Sequence, residues 1–487
     1  MPSASAAPTA RSSSDASAPE RQAATRAPLL RELDVPPATL QRLAAREPER
    51  YPLLLDSAAT GSLGRMSLLL ALPRAALWLT ADGRLEGEGM HPGGSGFLAA
   101  LERWWRAESV TTASPAPGAV FTGGWALFLG YELAQEIEPH LALPRTPLPW
   151  QAFALRTPCA LVHDRADDRV YAAAEEDCAY ELEQLAADAH AAARGAPVDG
   201  TLAVESILEE DPEAFLERVR RAKDYVRAGD VYQANLSRPW TVELASKRAG
   251  GTDSPAAALY QRLRAANPAP FAALAQWRDV ALLSSSPERL VRIEGRRVDT
   301  RPIAGTRPRS RLPAADAAEM SALAAHPKER AEHIMLIDLE RNDLGRVCEA
   351  GSVRVDELMS IESYAHVHHI VSNVGGVLRS EITPIGALRA VFPGGTITGC
   401  PKFRCMQIIA ELEGVGRGAY TGSLGYLTRD GRLDVNILIR SMALADRRVE
   451  FRAGAGIVAD SDPERELEET RAKARGLLRA FGASHGD

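Results

Sequence analysis

Two Glu-x-x-Glu pairs, Glu329 with Glu332 and Glu466 with Glu469, constrain this 487-residue chain more than any other feature. Residues three apart on a helix share a face, so each pair sets two carboxylates side by side. The pairs lie more than a hundred positions apart, and only a fold that carries two distant helices together lets all four acids act on one object. Hard oxygen ligands of this kind suit a magnesium ion that keeps several waters and also grips a substrate carboxylate. A surface helix kept acidic for solubility has the same pattern, so either pair alone decides nothing.

The second pair sits in a readable helix. Ser461 is placed as its N-cap, Glu464 completes a capping box and Pro463 fits the first turn. Glu466, Glu469 and Lys473 then share one face and Leu467, Ala474 and Leu478 another, which predicts an acidic face apart from the packing face. Upstream, Leu433 to Met442 alternates with period two and reads as one strand, with Leu433, Val435, Ile437 and Ile439 on one side and Asp434, Asn436 and Arg440 on the other. Arginine is the side chain best suited to grip a planar carboxylate through two parallel hydrogen bonds. Arg452-Ala453-Gly454-Ala455-Gly456, after a strand around Val449 to Phe451, reads as a turn or as backbone amides open to an anion. Pro302 to Thr306 and Pro393 to Lys402 read in the same two ways. His366-Val367-His368-His369 has no cysteine or carboxylate at zinc spacing, so one histidine is expected to face a pocket and the others to be strand residues.

The length exceeds one ordinary core and calls for two or three domains or one large composite fold. A charged helical segment from Glu181 to Arg194, then Gly195 and Pro197, marks a boundary. The expected organisation is a disordered extension over 1–28, an N-terminal region over 29–197 and a catalytic domain over 201–487. A net charge of -7 gives no footprint for nucleic acid. No apolar run has the length of a membrane span, and the first 28 residues lack the apolar core of a signal peptide. Five scattered cysteines without a CxxC pair fit a reducing cytosol, so a soluble cytoplasmic protein is expected.

Taken as a set, Arg301-Pro302-Ile303-Ala304-Gly305-Thr306-Arg307-Pro308-Arg309, Lys328-Glu329-Arg330-Ala331-Glu332-His333, Asp338-Leu339-Glu340-Arg341-Asn342-Asp343 and Gly454-Ala455-Gly456-Ile457-Val458-Ala459-Asp460-Ser461 resemble the chorismate-utilising enzymes. The resemblance runs from about residue 205 to 480. It implies an α+β fold, a large sandwich of two antiparallel sheets flanked by helices. It implies magnesium held by Glu332 and Glu469 with Glu329 and Glu466 assisting, and Glu288 as the acid that protonates the departing C4 hydroxyl. Tyr420, Arg440, Gly454, Ala455, Gly456 and Lys473 would hold the carboxylates of chorismate, with Gly305, Thr306, His369 and Thr396 around the ring. Leu54-Leu55-Asp56-Ser57 resembles an element that lines a tryptophan pocket in some members.

Gln233 stands where the water-using members carry a lysine base, which implies ammonia as the nucleophile. Gly394-Gly395-Thr396-Ile397-Thr398-Gly399, Thr421-Gly422-Ser423-Leu424-Gly425-Tyr426 and Asn436-Ile437-Leu438-Ile439-Arg440 resemble aminodeoxychorismate synthase component I. Ala304, in place of a lysine nucleophile, resembles anthranilate synthase component I instead. The first expectation is 4-amino-4-deoxychorismate for p-aminobenzoate, and anthranilate is the alternative. No cysteine lies on a glutaminase-like elbow, so ammonia is expected from a separate glutamine amidotransferase subunit. A catalytically dead regulatory relative is the reading from another class, and it has no need of four facing acids.

Overall fold

The computed structural model describes residues 25–59, 64–94, 96–112, 121, 123–246, 253–310, 312–364 and 367–482. Two large sheets, each antiparallel throughout, dominate it. The first runs Val204–Glu209, Gln233–Leu244, Arg448–Ile457, Ser441–Ala445, Val280–Ser286, Phe271–Trp277, Leu53–Asp56, Met66–Ala71, Cys159–Asp164, Arg169–Ala174 and Leu29–Leu33. The second runs Ile303–Pro308, Val367–Val377, Arg297–Arg301, Arg289–Glu294, Leu433–Asn436, Ser423–Thr428, Gly124–Leu129, Trp150–Thr157, Ala75–Thr80 and Leu85–Glu88. Strands from both sides of residues 197–201 are therefore neighbours in both sheets.

Three layers of apolar burial explain why the strands read as near-continuous hydrophobic runs. Leu53, Leu70, Leu282, Phe128, Phe153 and Leu424 come from both sheets and fill the space between them. The outer face of the first sheet is covered by the helices Ala38–Arg46, Ala179–Ala193, Pro255–Ala266 and Pro463–Leu478. Outside the second lie Phe97–Glu108, Pro384–Val391 and Pro327–Gly345. The two-sheet α+β architecture is the one expected.

Four local expectations are corrected. Leu433 to Met442 is not one strand: Leu433–Asn436 belongs to the second sheet and Ser441–Ala445 to the first, and residues 437–440 cross between them. Ile437 and Leu438 remain buried through the crossing, which is why the alternation looked unbroken. The bend puts Arg440 in the left-handed region at φ 51°. Arg452 to Gly456 is no turn but the middle of the strand Arg448–Ile457, paired with Gln233–Leu244. Likewise Ile303–Pro308 is an edge strand, not a loop. The cap of the last acidic helix is Asp462, whose carboxylate accepts from Arg465 N, while the Ser461 hydroxyl accepts from Val458 N. Of the expected extension, residues 1–24 lie outside the described residues, and Thr25–Arg26 pairs in parallel with Thr111–Thr112.

Candidate active site

At the end of the first sheet Gly454 pairs with Ser237 and Gly456 with Asn235. A side chain on Gly454 would meet the Tyr420 hydroxyl at 2.6 Å, and one on Gly456 would meet the Gln233 amide nitrogen at 1.9 Å. Glycine is needed here because the site's own polar groups fill the space. Ala455 points the other way, into the apolar cluster of Phe215, Leu236 and Ile457, so only its backbone is available to a ligand.

The two acidic helices meet at this strand end. Gln233 Nε2 donates to Glu332 Oε1 at 2.9 Å. Lys473 Nζ donates to the Gly454 carbonyl at 2.9 Å and pairs with Glu469 at 2.8 Å. Burial raises the Glu332 carboxyl above the ordinary range, and the nearby Glu329 and Glu469 charges add to the rise against Gln233 and Lys473. Glu466 is buried rather than on an exposed acidic face, and it too is raised, first by burial and then by Glu469. Glu469 itself ends below the ordinary range, because Lys473 and Lys328 outweigh the loss of water around its half-exposed side chain. Glu329 reaches the other edge, 3.0 Å from where a side chain on Gly305 would begin, and Gly305 has φ 65°.

Opposite them lies Glu288, buried, with the Thr396 hydroxyl and the Ile303 amide beside it. Burial pushes its carboxyl up to about 7, although Arg440 and Lys473 favour the ionised form. The Arg440 guanidinium takes part in no hydrogen bond or ion pair found among the described residues, and burial pulls its pKa down against the pull of Glu288 and Tyr364. His369 is buried with Nδ1 3.2 Å from the Gly305 carbonyl, and burial drops its pKa to about 3, so the ring is neutral. Its neighbour His368 is bound to Asp316 at 2.9 Å and Ser363 at 2.7 Å. His366 and the Thr306 side chain lie outside the described residues, and the Thr306 backbone pairs with His369.

Glu288, Gln233, Glu332, Tyr420, Arg440, Gly454, Gly456, Lys473 and Glu469 are thus linked into one locality. Asp56 and Ser57 are held elsewhere by the chain itself: Arg264 Nε donates to Asp56 at 2.5 Å, and the Ser57 hydroxyl donates to the Met66 carbonyl at 2.6 Å. Sequence reasoning missed the buried ion network behind the glycine strand, where Glu413 accepts from Arg417 at 2.6 Å and from Arg452 at 2.9 Å. The only signal was charge at helical spacing, Glu413 and Arg417.

Whether the acids suit a magnesium ion can be judged from their own chemistry. They are all oxygen donors, the charges of Glu329 and Glu469 act on Glu332, and Lys473 ion-pairs with Glu469 at 2.8 Å. They do not close into a tight cage; among the described residues the one group of three with donor atoms within 4.8 Å is Glu175, Asp177 and Cys178. That group already holds Arg74 and Arg429 on Glu175 and is no vacant site. A cation that keeps most of its waters fits the looser arrangement of the four glutamates.

A family description, chorismate binding enzyme, matches residues 84–479. Anthranilate synthase component 1 of Streptomyces coelicolor is 43% identical over 417 residues, 80% of this chain and 78% of its own. An aminodeoxychorismate synthase of Streptomyces griseus is 40% identical over 399 residues, 79% of this chain but 53% of its own length. Among solved structures, anthranilate synthase component I of Streptococcus pneumoniae superposes with a TM-score of 0.73 at 30% identity, covering 85% of this chain and 92% of the other. No helix among the described residues is long and apolar enough to cross a membrane.

Proposed function

Because this chain belongs to the family of chorismate binding enzymes, we propose that it is a synthase subunit that aminates chorismate with ammonia, and that its product is anthranilate, with release of pyruvate. The observation that carries an acid-assisted reaction on a dianion is the presence in one site of the buried Glu288, its carboxyl pushed up to about 7, and Arg440, whose guanidinium forms no ion pair among the described residues.

Loss of hydroxide from C4 is difficult unless a proton arrives as the bond breaks. Glu288 delivers that proton, so the group leaves as water. Ammonia forms the new C–N bond at C2 as the ring double bond shifts, and the proton it sheds balances the one Glu288 has given; loss of the C2 proton with cleavage of the C3–O bond then makes the ring aromatic, and the enolpyruvate that leaves takes a proton on its methylene carbon to become pyruvate. Arg440 and Lys473, with the Tyr420 hydroxyl, hold the two carboxylates. Neutral His369 cannot add charge and serves the ring as a hydrogen-bonding wall. Glutamine at 233 orients Glu332 and cannot act as a base for water. Glu332 and Glu469, assisted by Glu329 and Glu466, would hold magnesium, which would supply positive charge to offset that of the substrate. Ammonia would come from a separate glutamine amidotransferase.

The names of the relatives support anthranilate better than the 4-amino-4-deoxychorismate expected first from the sequence. Ala304, buried and apolar, agrees, since it offers no nucleophile at the ring. Aminodeoxychorismate remains the second reading, supported by the motifs around Thr396, Ser423 and Asn436 and by the Streptomyces griseus relative at 40% identity. Purified protein with chorismate, magnesium and ammonium chloride decides between them. Blue-fluorescent anthranilate is the expected result; p-aminobenzoate formed only after adding a lyase would transfer the chain to the second reading, and no turnover would overturn both.

A further inference from the structure

Tyr420 is carried by the turn that follows the helix Lys402–Glu413, where the Tyr420 amide donates to the Arg417 carbonyl at 3.1 Å and the Arg417 guanidinium pairs with Glu413 at 2.6 Å. It opens at Gly414 with φ 64° and passes through Gly418 at φ 59° and Thr421 at φ 64°, three left-handed residues within eight. Its backbone is restrained further by the other half of the chain. The Glu132 carboxylate, buried, accepts from the Arg417 amide at 2.6 Å and from the Gly418 amide at 3.1 Å. The Tyr131 amide donates to the Gly418 carbonyl at 2.9 Å. The Arg417 guanidinium then lies over both rings, 5.0 Å from the centre of Tyr131 and 5.5 Å from that of Tyr420, and its Nη2 donates to the Asn235 carbonyl at 2.7 Å. At the far side of the turn Thr421 N donates to the Leu438 carbonyl at 2.8 Å and Leu438 N to the Gly422 carbonyl at 2.8 Å, two residues before Arg440.

We propose that Glu132 is a positioning residue for substrate binding: by fixing consecutive amides of this turn it holds the Arg417 side chain between the two tyrosines and thereby the Tyr420 hydroxyl against Gly454. A carboxylate that accepts two main-chain amides is a stiff joint, because each bond is charge-assisted and neither donor can turn without moving the backbone. The N-terminal half thus completes a site whose substrate groups all belong to the C-terminal half. This rests on Tyr420 being a group that holds a substrate carboxylate.

The test is steady-state kinetics on chorismate for E132Q, Y420F and the double variant. E132Q keeps one acceptor oxygen and is expected to raise KM about tenfold with kcat within about twofold, the pattern of lost ground-state binding. In the double variant KM is expected to equal that of Y420F alone, since both changes act through one hydroxyl. If E132Q leaves KM unchanged, or if the two effects multiply, Glu132 serves only packing and the inference fails. If Y420F itself leaves KM unchanged, the reading of Tyr420 fails first and takes the inference with it. Should E132Q not fold, R417K, which keeps its charge beside Glu413 but gives up the flat stack on Tyr420, enters the same cycle with the same expectations.

Discussion

Gln233 and Gly456 occupy one space: the amide nitrogen of Gln233 stands 1.9 Å from where a side-chain carbon on Gly456 would be, and the same nitrogen binds Glu332 at 2.9 Å. The absence of a side chain at one position is what lets the other reach the acidic helix. Gly456→Ala should therefore push Gln233 off Glu332. We expect kcat/KM to fall about 100-fold for a stability cost of about 1–3 kcal/mol, the usual cost of overpacking. Kinetics and urea denaturation on the same preparation check both halves, and a variant with full activity would refute the link.

As the proposed acid, Glu288 sets the alkaline limit. Its carboxyl is pushed up to about 7 by burial, so the acid form that the proposed reaction uses is lost as pH rises through that value. The kcat profile should fall above about pH 7, and Glu288→Gln should lower kcat by about 10²–10⁴-fold. Stability has a matching sign. The folded pKa is above the unfolded one, so folding is favoured fully below the ordinary carboxyl range and loses that contribution as pH rises through 7. Glu288→Gln removes the titration, and between pH 5 and 8 the wild type should lose about 2 kcal/mol relative to it.

Arg440 meets a planar carboxylate when chorismate binds as proposed, and only a fork of donors grips such a group in two parallel bonds. Arg440→Lys keeps the charge and loses the fork. It should raise KM for chorismate and lower kcat/KM about 10- to 100-fold, the worth of one charge-assisted hydrogen bond. An equal kcat/KM for the two proteins would show that Arg440 is structural.

Glu413 serves stability. It is fully buried between Arg417 and Arg452, and despite burial these cations hold its carboxyl down at about 2. Glu413→Ala strands two buried guanidinium groups and should cost about 3–5 kcal/mol in urea denaturation. Because the folded pKa is depressed, the contribution is present above the ordinary carboxyl range and is lost as pH falls from there toward 2. Wild type and variant should therefore converge in stability in acid.

The legible parts of the site were those with local periodicity. Glu329 with Glu332 and Glu466 with Glu469 announce themselves by helical spacing, and both helices are present, Pro327–Gly345 and Pro463–Leu478. What could not be read was any event that depends on a partner far along the chain. The crossing at 437–440 leaves the apolar alternation intact because both sheets bury their inner faces, so a strand that changes sheets looks like one that does not. Gly454 and Gly456 looked like a turn because glycine usually marks one, whereas here Tyr420 and Gln233 require it within a strand. Glu132 gave no signal, since a lone acid after an apolar run is ordinary until the amides of Arg417 and Gly418 are seen above it.

In the proposed reaction Glu332 and Glu469 serve a single divalent ion beside the chorismate carboxylates. Titration of the protein with manganese in the presence of chorismate, followed by electron paramagnetic resonance, tests it directly. One bound ion per chain is predicted for the wild type, weakened about tenfold or more in both Glu332→Gln and Glu469→Gln. Undiminished binding in either variant would contradict it.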